Sequence, residues 1–404
     1  MKYNMSLPIS PTLTNNLKKD YNEILDFLIK KGYGFKAIPD TRKAKNKTGE
    51  AYSIAYPIQG ILKYHGFVGN PNERIAYFPS ISLNNGCGYT VTYLKFDNNF
   101  KEDLAYLDGQ QVLDNKLVRI KLGLDYIRDF SGINTKALLI SRNFLGSDDL
   151  SDRGKGLGTS ASGSSALAIA ACSIIYNNDP NYINNYRLIS IFSRFLSGSG
   201  TRSATGGFSL WLSHPTIKPL DCYAIRLDRE KDSSFLEDIS ILTIPIKSDL
   251  KTNEAHEIAT KSKFFPSWLK QRKNLIIEFI EAIDNHDLNK IGELAEYDTL
   301  CLHSVAMTAP HKQKIIAWAP ETLKIMQKIK ELQESGYNVY YSIDTGPSVV
   351  LLSRKNEKNN IIKEIKSINL NCNIFEGNIG GPCKILDPNS PEAKKLENDI
   401  NKVL

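Results

Sequence analysis

The chain has no apolar run near the roughly 20 residues that a helix needs to cross a bilayer; the longest, Ala166 to Tyr176, breaks at Asn177. A helical membrane span is therefore excluded, and no membrane partner is expected. The first residues, MKYNMSLPISPTLTNNLKKDY, lack an apolar core and a small-residue cleavage site, so the expected location is cytoplasmic. No CxxC pair occurs among six scattered cysteines (Cys87, Cys172, Cys222, Cys301, Cys372 and Cys383), which fits neither a zinc site nor a disulfide framework. They read as buried thiols, with no metal expected. Nor is positive charge concentrated: 51 Lys and Arg against 44 Asp and Glu leave +7, spread through short mixed runs. Nucleic acid is not an expected partner, because gripping a phosphate backbone needs clustered charge. An anionic small molecule fits the sign, while a solvated surface explains most of the charges.

With 41% hydrophobic and 24% charged residues, and 26 Gly plus 17 Pro in 404, the chain suits a real core and is no low-complexity sequence. Its length suits two domains or three. Residues 1–50 read as a helical extension: Leu13, Leu17, Ile24, Leu25, Leu28 and Ile29 recur at helical spacing before Gly32 and Gly34. It is expected to pack on the body or on a partner. Residues 51–215 read as an α+β domain, with β-rich runs at 58–64 and 89–96, a helix at 117–130 and a strand at 137–141. A polar Gly-rich loop then leads to a small-residue helix at 161–175, a helix at 187–195, a Gly/Ser loop and a strand at 208–212. Residues 216–404 combine a strand at 239–246, helices at 268–285, 288–305 and 321–335, strands at 338–343 and 349–352, a helix at 359–368 and a strand near 373–375. That order suggests an antiparallel unit of ferredoxin-like type.

Four segments carry chemistry. The stretch from Gly154 through Gly156, Gly158, Thr159, Ser160 and Ser162 to Gly163 sets glycines and hydroxyls where a helix begins. Free N–H groups and the positive helix end suit an anion there, although a capped helix with small residues for close packing reads as well. Arg194, followed by Ser197-Gly198-Ser199-Gly200-Thr201-Arg202-Ser203, sets guanidinium groups among hydroxyls and glycines. Such a loop can grip a carboxylate or phosphate bidentately; a surface loop with a salt-bridged Arg is the plainer reading. Lys63-Tyr64-His65-Gly66 ends an apolar strand with a cation able to stabilise developing negative charge. Asp344-Thr345-Gly346-Pro347 is first of all turn chemistry between two strands.

In this order, and with Asp298 and His303 on a late helix, the segments from about Tyr56 to Leu352 resemble the diphosphomevalonate decarboxylase branch of the GHMP kinase superfamily. The resemblance implies a two-domain GHMP-kinase-like α+β fold: a ribosomal-protein-S5-like N-terminal domain, a ferredoxin-like C-terminal domain, and the active site between them. It also implies a homodimer acting on a phosphorylated mevalonate. In that branch ATP phosphorylates a tertiary 3-hydroxyl, and the 3-phosphate then leaves as the C1 carboxylate departs as carbon dioxide. Carried over, Asp344 matches the acidic catalytic residue, Arg202 the carboxylate-binding arginine and Lys63 the lysine that steadies phosphoryl charge. Tyr64, Ser197 and Ser199 match substrate contacts, to which Ser203 and Arg194 are added, and Gly156, Gly158, Thr159, Ser160 and Ser162 match the phosphate loop. His303 reads as a helix-packing residue and, with Asp298, stays outside the catalytic set.

The departures from the family pattern point further. Gln59-Gly60-Ile61 stands where the ATP-dependent members read Asn-Ile-Ala, and Phe67 stands where they carry a second lysine after Lys-Tyr-Trp-Gly. That lysine helps to hold a 5-diphosphate, so its loss favours a 5-monophosphate. The resemblance then implies a substrate whose 3-phosphate is already in place, mevalonate 3,5-bisphosphate, decarboxylated to isopentenyl phosphate with no cofactor. ATP and Mg²⁺ enter only under the alternative, an ATP-dependent phosphomevalonate or diphosphomevalonate decarboxylase. A non-catalytic sensor on the same fold is a third reading, which the retained Lys63, Arg202 and Asp344 disfavour. By charge, His65, Arg74, Lys155 and Arg194 are candidates for the 5-phosphate, and a vacated nucleotide pocket is a candidate for another ligand.

Overall fold

A computed structural model of the chain describes all residues except 1–8, 71, 147, 150–156, 230–231, 249–251 and 311–312. Helix α1 (Pro11–Lys30) begins where the Ser10 hydroxyl accepts the Leu13 N–H and proline occupies the first turn, where its missing N–H costs nothing. The longer strands that follow are β1 (Gly49–Ala55), β2 (Ile58–Leu62), β3 (Ser80–Asn84), β4 (Gly88–Asp97) and β5 (Leu104–Leu107). After α2 (Asp114–Ser131) and β6 (Lys136–Leu145) come α3 (Thr159–Ile175), α4 (Tyr186–Leu196), β7 (Phe208–Trp211) and β8 (Ala224–Arg226). One sheet runs β8-β7-β3-β2; in the larger, β4 lies between β1 and β6.

Small side chains decide the place of α3. From Ala161 onward its Ala, Ser and Cys residues are buried on all sides, so it packs closely against β1 and β4 on one side and α4 on another. Ser53 of β1 donates to the Ala166 carbonyl at 2.7 Å, fixing that contact.

The second unit opens with β9 (Ile239–Ile244). Helices α5 (Thr252–Ala259), α6 (Phe265–Lys270), α7 (Arg272–Asp284), α8 (Leu288–Met307) and α9 (Pro320–Glu334) lead to β10 (Val339–Ser342) and β11 (Val349–Arg354), then α10 (Lys358–Ser367) and β12 (Phe375–Gly377). The four strands pair antiparallel in the order β10-β11-β9-β12. Leu242, Ile244, Val349 and Leu351 on one sheet face pack against Ile325 and Ile329 of α9 and Ile361 and Ile365 of α10. An α+β chain of two sheet-and-helix units is thus what the order of segments predicted.

The division of the chain is less simple than 51–215 and 216–404. Strand β8 keeps residues up to 226 in the first unit, and the chain returns there after β12, because β13 (Lys384–Leu386) pairs antiparallel with β1. Leu386, Ala393 and Leu396 then cover the sheet face opposite α3, over Ile54, Val91, Tyr93 and Ile140. Asp399 accepts from Arg142 at 2.8 Å to close that end. A three-residue strand carries no readable period, so the return leaves no sequence signal.

Helix α1 packs on the body, against α6 and α7, with Leu17, Ile24 and Leu28 fully buried. Lys273 of α7 lies 2.7 Å from Glu23 and 3.5 Å from Asp20, and the Tyr33 hydroxyl donates to the Leu227 carbonyl at 2.9 Å. The extension therefore touches both units and buttresses the helix that begins with Arg272. Ile24→Ala should cost about 3 kcal/mol in urea unfolding through the cavity it leaves, whereas Ile29→Ala, at a 59% exposed position of the same helix, should stay within about 0.5 kcal/mol.

Candidate functional site

A cavity of about 250 Å³ lies where the end of β2, the start of α3, the Ser199–Arg202 loop and the Asp344 loop converge. Lys63, just past β2, stands at its centre and is held at every polar atom. Its backbone N–H is accepted by Asp298 of α8, and its carbonyl accepts from Arg272 at the start of α7. Arg272 and Asp298 pair with each other, both fully buried. The Lys63 ammonium donates to the Gly60 carbonyl, to the Ser342 hydroxyl at 2.7 Å and to Asp344 Oδ1 at 3.0 Å. Since an ammonium has three donors, all of Lys63's are occupied. What it can offer a nearby anion is its charge, the role for which the sequence reading chose it.

Ser342 closes the same knot by donating to the Gly60 carbonyl at 2.7 Å and accepting from Gln59 Nε2 at 3.0 Å. Gln59, a departure from the family pattern, thus helps fix the second unit to the first. Space at Gly60 is tight: a β-carbon there would stand 3.0 Å from the Asp344 carboxylate and would press on it.

The anion-facing wall comes from α3 and the serine loop. Gly158 has φ +70°, and a β-carbon on it would meet the Ile58 carbonyl at 2.7 Å, so glycine alone lets α3 begin against β2. Thr159 and Ser160 in the first turn of α3 line the cavity. Hydroxyls continue across the wall, with Ser160 Oγ 3.4 Å from Ser197 Oγ and Ser197 Oγ 3.2 Å from Ser199 Oγ. Arg202 is 1% exposed, and its Nε and Nη1 have no partner. Its guanidinium lies 5.3 Å from the Tyr64 ring centroid and 6.0 Å from that of Trp211. A buried cation without an acceptor is costly, so Arg202 is poised for an anion in the cavity it lines.

Lys63, Tyr64, Gly158, Thr159, Ser160, Ser199, Arg202 and Asp344 thus share one cavity, with Ser197 beside them. Other expected site residues are placed elsewhere. Ser203 is buried and donates to the Tyr56 carbonyl at 2.7 Å, and Ser162 is buried between Thr90 Oγ1 at 2.5 Å and the Thr159 carbonyl at 3.0 Å. Neither lines the cavity; their hydroxyls hold the backbone. Arg194 is fully buried and outside the cavity wall. Gly156, like Lys155, lies outside the described residues.

Sequence reasoning missed Ser342, Arg272 and His256. His256, on α5, lines the cavity with its ring stacked on Tyr64 at 4.8 Å and an interplanar angle of 19°. Its Nδ1 accepts from the Gly66 N–H at 3.4 Å and lies 3.4 Å from His65 Nδ1, which assigns the proton of the neutral ring to Nε2. Burial, then the charge of Arg202, holds its pKa down to about 4, against a smaller pull from Asp344. His303, packed on Trp318 at 4.9 Å, is likewise held to about 4 by burial and then by Lys63. His65 lies well below the usual range, through burial and then its two histidine neighbours.

A second cavity, of about 410 Å³, lies on the other side of the α3 N-terminus and shares Thr159 and Ser160 with the first. Lys116 and Arg119 of α2, Asp108 and Asn143 contribute to its wall. Among the described residues, no group of His, Cys, Asp and Glu could hold a metal ion.

Comparison with known proteins gives the family. Residues 55–224 match the model of the diphosphomevalonate decarboxylase-like N-terminal domain. The mevalonate 3,5-bisphosphate decarboxylase of Thermoplasma volcanium is 31% identical over 303 residues, 75% of this chain and 76% of the relative. The phosphomevalonate decarboxylase of Haloferax volcanii is 27% identical over 341 residues, 84% of this chain and 98% of the relative. In structure, the mevalonate diphosphate decarboxylase of Staphylococcus aureus superposes with a TM-score of 0.74 at 25% identity, covering 84% of this chain and 98% of the other. The likeness extends through both units, and the chain belongs to the diphosphomevalonate decarboxylase-like family, with its GHMP-kinase fold.

Proposed function

We propose that the protein is a carboxy-lyase of isoprenoid biosynthesis that converts mevalonate 3,5-bisphosphate to isopentenyl phosphate, phosphate and carbon dioxide, using neither nucleotide nor metal. The observation that carries this reading is the meeting, in one cavity, of the Lys63–Asp344 pair with a buried and unpartnered Arg202. The Thermoplasma relative bears the name of this activity. Phe67 supports the absence of a diphosphate: its ring lies 5.6 Å from that of Tyr64 and against Gly198, an apolar wall where the family's second lysine would stand.

The chemistry balances with no co-reactant. The C3–O bond breaks with its electron pair on the departing phosphate, and the C1–C2 pair moves to form the C2–C3 double bond as C1 leaves as carbon dioxide. Catalysis then requires a fixed angle between the two breaking bonds and stabilisation of charge on the leaving group. Arg202 orients the C1 carboxylate. The first turn of α3, with Thr159 and Ser160, receives the leaving phosphate, and the Lys63 charge favours its departure. Asp344 has no hydroxyl proton to take from a substrate already phosphorylated at C3. Its carboxylate instead favours positive charge at C3 and keeps the Lys63 ammonium in place.

A second reading, ATP-dependent decarboxylation of mevalonate 5-phosphate, is favoured by the cavity that shares Thr159 and Ser160 with the first. Assaying phosphate and carbon dioxide release separates the two. Turnover of mevalonate 3,5-bisphosphate without nucleotide supports the first; turnover of mevalonate 5-phosphate with ATP and Mg²⁺ alone supports the second. No turnover of either returns the chain to a sensor role. The proposal includes a cytoplasmic homodimer, as the family resemblance implies, which sedimentation checks.

Two further outcomes follow from the geometry. Asp344→Asn should lower kcat at least about tenfold with little change in KM, because it removes a charge that matters as C3 becomes positive. The buried histidines should titrate far from the ordinary imidazole range, and histidine NMR should read midpoints near 4 for His256 and His303. The folded state keeps these rings neutral, so their contribution to stability is complete above about 6.5, the unfolded value, and is lost as pH falls toward 4. A midpoint near 6.5 for His256 would place its ring in open solvent.

A further inference from the structure

Two of the apolar residues whose spacing marks α1 are left uncovered by the body. Leu25 is half-buried and Ile29 is 59% exposed, although Leu17, Ile24 and Leu28 on the neighbouring stripe of the same helix are sealed. Both line a further cavity, of about 440 Å³, between α1, the start of α4 and the loop of residues 214–223 that joins β7 to β8. It shares no lining residue with the catalytic cavity or with the one beside it. Phe35 and Ile217 extend its apolar wall.

The polar side of this cleft is cationic. Lys18 of α1, Arg187 of α4 and Lys218 of the loop stand against the one carboxylate of Asp221. Arg187 is already engaged: Nη2 lies 3.3 Å from Asp221 Oδ1, Nη1 donates to the Lys36 carbonyl at 3.3 Å, and the guanidinium carbon lies 4.1 Å from the Tyr223 ring centroid. With that pair cancelling, the charges of Lys18 and Lys218 remain, and among the described residues neither meets a carboxylate. His214, which is buried, adds a donor. Its Nδ1 accepts the Thr216 N–H at 3.2 Å, so the neutral ring carries its proton on Nε2, where no acceptor stands among the described residues.

These walls select the ligand's chemistry. Two unpaired ammonium groups and an imidazole N–H suit a dianionic head, and a phosphate monoester carries close to two negative charges at neutral pH. The aromatic rings are taken up within the chain: Arg187 lies over Tyr223, and the Tyr21 ring packs on His214 with centroids 4.5 Å apart. They offer no open platform for a stacked base, and the wall that remains, Leu25, Ile29, Ile217 and Phe35, suits an aliphatic chain.

We propose that the cleft between α1 and the β7–β8 loop binds a soluble aliphatic phosphate monoester, its head among Lys18, Lys218 and His214 and its chain along Leu25, Ile29 and Phe35. Neither the cleft nor its ligand depends on the decarboxylase reading, and binding needs no turnover to be measured. By calorimetry below its micelle concentration, n-decyl phosphate should bind the full chain at least about tenfold more tightly than inorganic phosphate, because the chain adds apolar contact. n-Decyltrimethylammonium, with the same chain and the opposite charge, should not bind. Lys18→Gln combined with Lys218→Gln should weaken n-decyl phosphate at least about tenfold, and Ile29→Asn at least about fivefold. All three positions are exposed, and circular dichroism verifies the fold of the variants. Equal affinity for n-decyl and inorganic phosphate, equal affinity for the cationic amphiphile, or unchanged binding in the folded variants overturns the site. Binding to phosphatidic acid vesicles without binding to monomeric n-decyl phosphate would make this a membrane-docking face and likewise overturn it.

Discussion

The structure depends on how one residue, Lys63, is held. Its backbone bonds to a fully buried Arg272–Asp298 pair, and its ammonium is divided among the Gly60 carbonyl, Ser342 and Asp344. Lys63 and Gly60 belong to the first unit and the other four residues to the second, so the cleft that forms the cavity is closed by this knot. A buried ion pair is a weak source of stability because desolvation offsets most of the attraction. Here each partner also satisfies a backbone group that would otherwise be orphaned, and what the pair supplies is position. Helix α1, packed on α7, supports the same arrangement from behind.

This placement explains why the cavity suits an elimination in which no proton needs to move. Its cations are fixed before substrate arrives: Lys63 by three acceptors and Arg202 by its ring contacts with Tyr64 and Trp211. Preorganised charge of this kind stabilises a departing phosphate without reorganisation during the reaction. Burial holds the pKa of the three histidines beside it low, so they add packing and, from His256, an imidazole N–H without further positive charge. Thr159 and Ser160 stand between two cavities, so the α3 N-terminus can face a phosphate from either side.

Much of the fold was legible because its long elements carry strong periods. The buried face of α1, the small-residue α3 and the alternation of strands in the second unit all follow from residue spacing. What could not be read was non-local. Strand β13 is three residues long and finds β1 across more than 300 positions of sequence. Helix α5, with the sequence TNEAHEIA, is short and polar enough to pass for a loop, which hid His256. Arg272 looks like any cation at a helix start, and Ser342 like any strand-end serine, until the tertiary structure sets both around Lys63. The same limit misassigned hydroxyls in the other direction: Ser162 and Ser203 sit in glycine-serine segments that suggest ligand contact, yet both are consumed by backbone and threonine partners.

The coupling of Lys63 to Asp344 is the most direct test. A double-mutant cycle on kcat, with Lys63→Met, Asp344→Asn and the double variant assayed on mevalonate 3,5-bisphosphate without nucleotide, measures it. If the pair works as one preorganised unit, the double variant will be about as slow as the slower single variant. Losses that multiply across the two positions would show that each acts alone, and would contradict the central place given to the knot around Lys63.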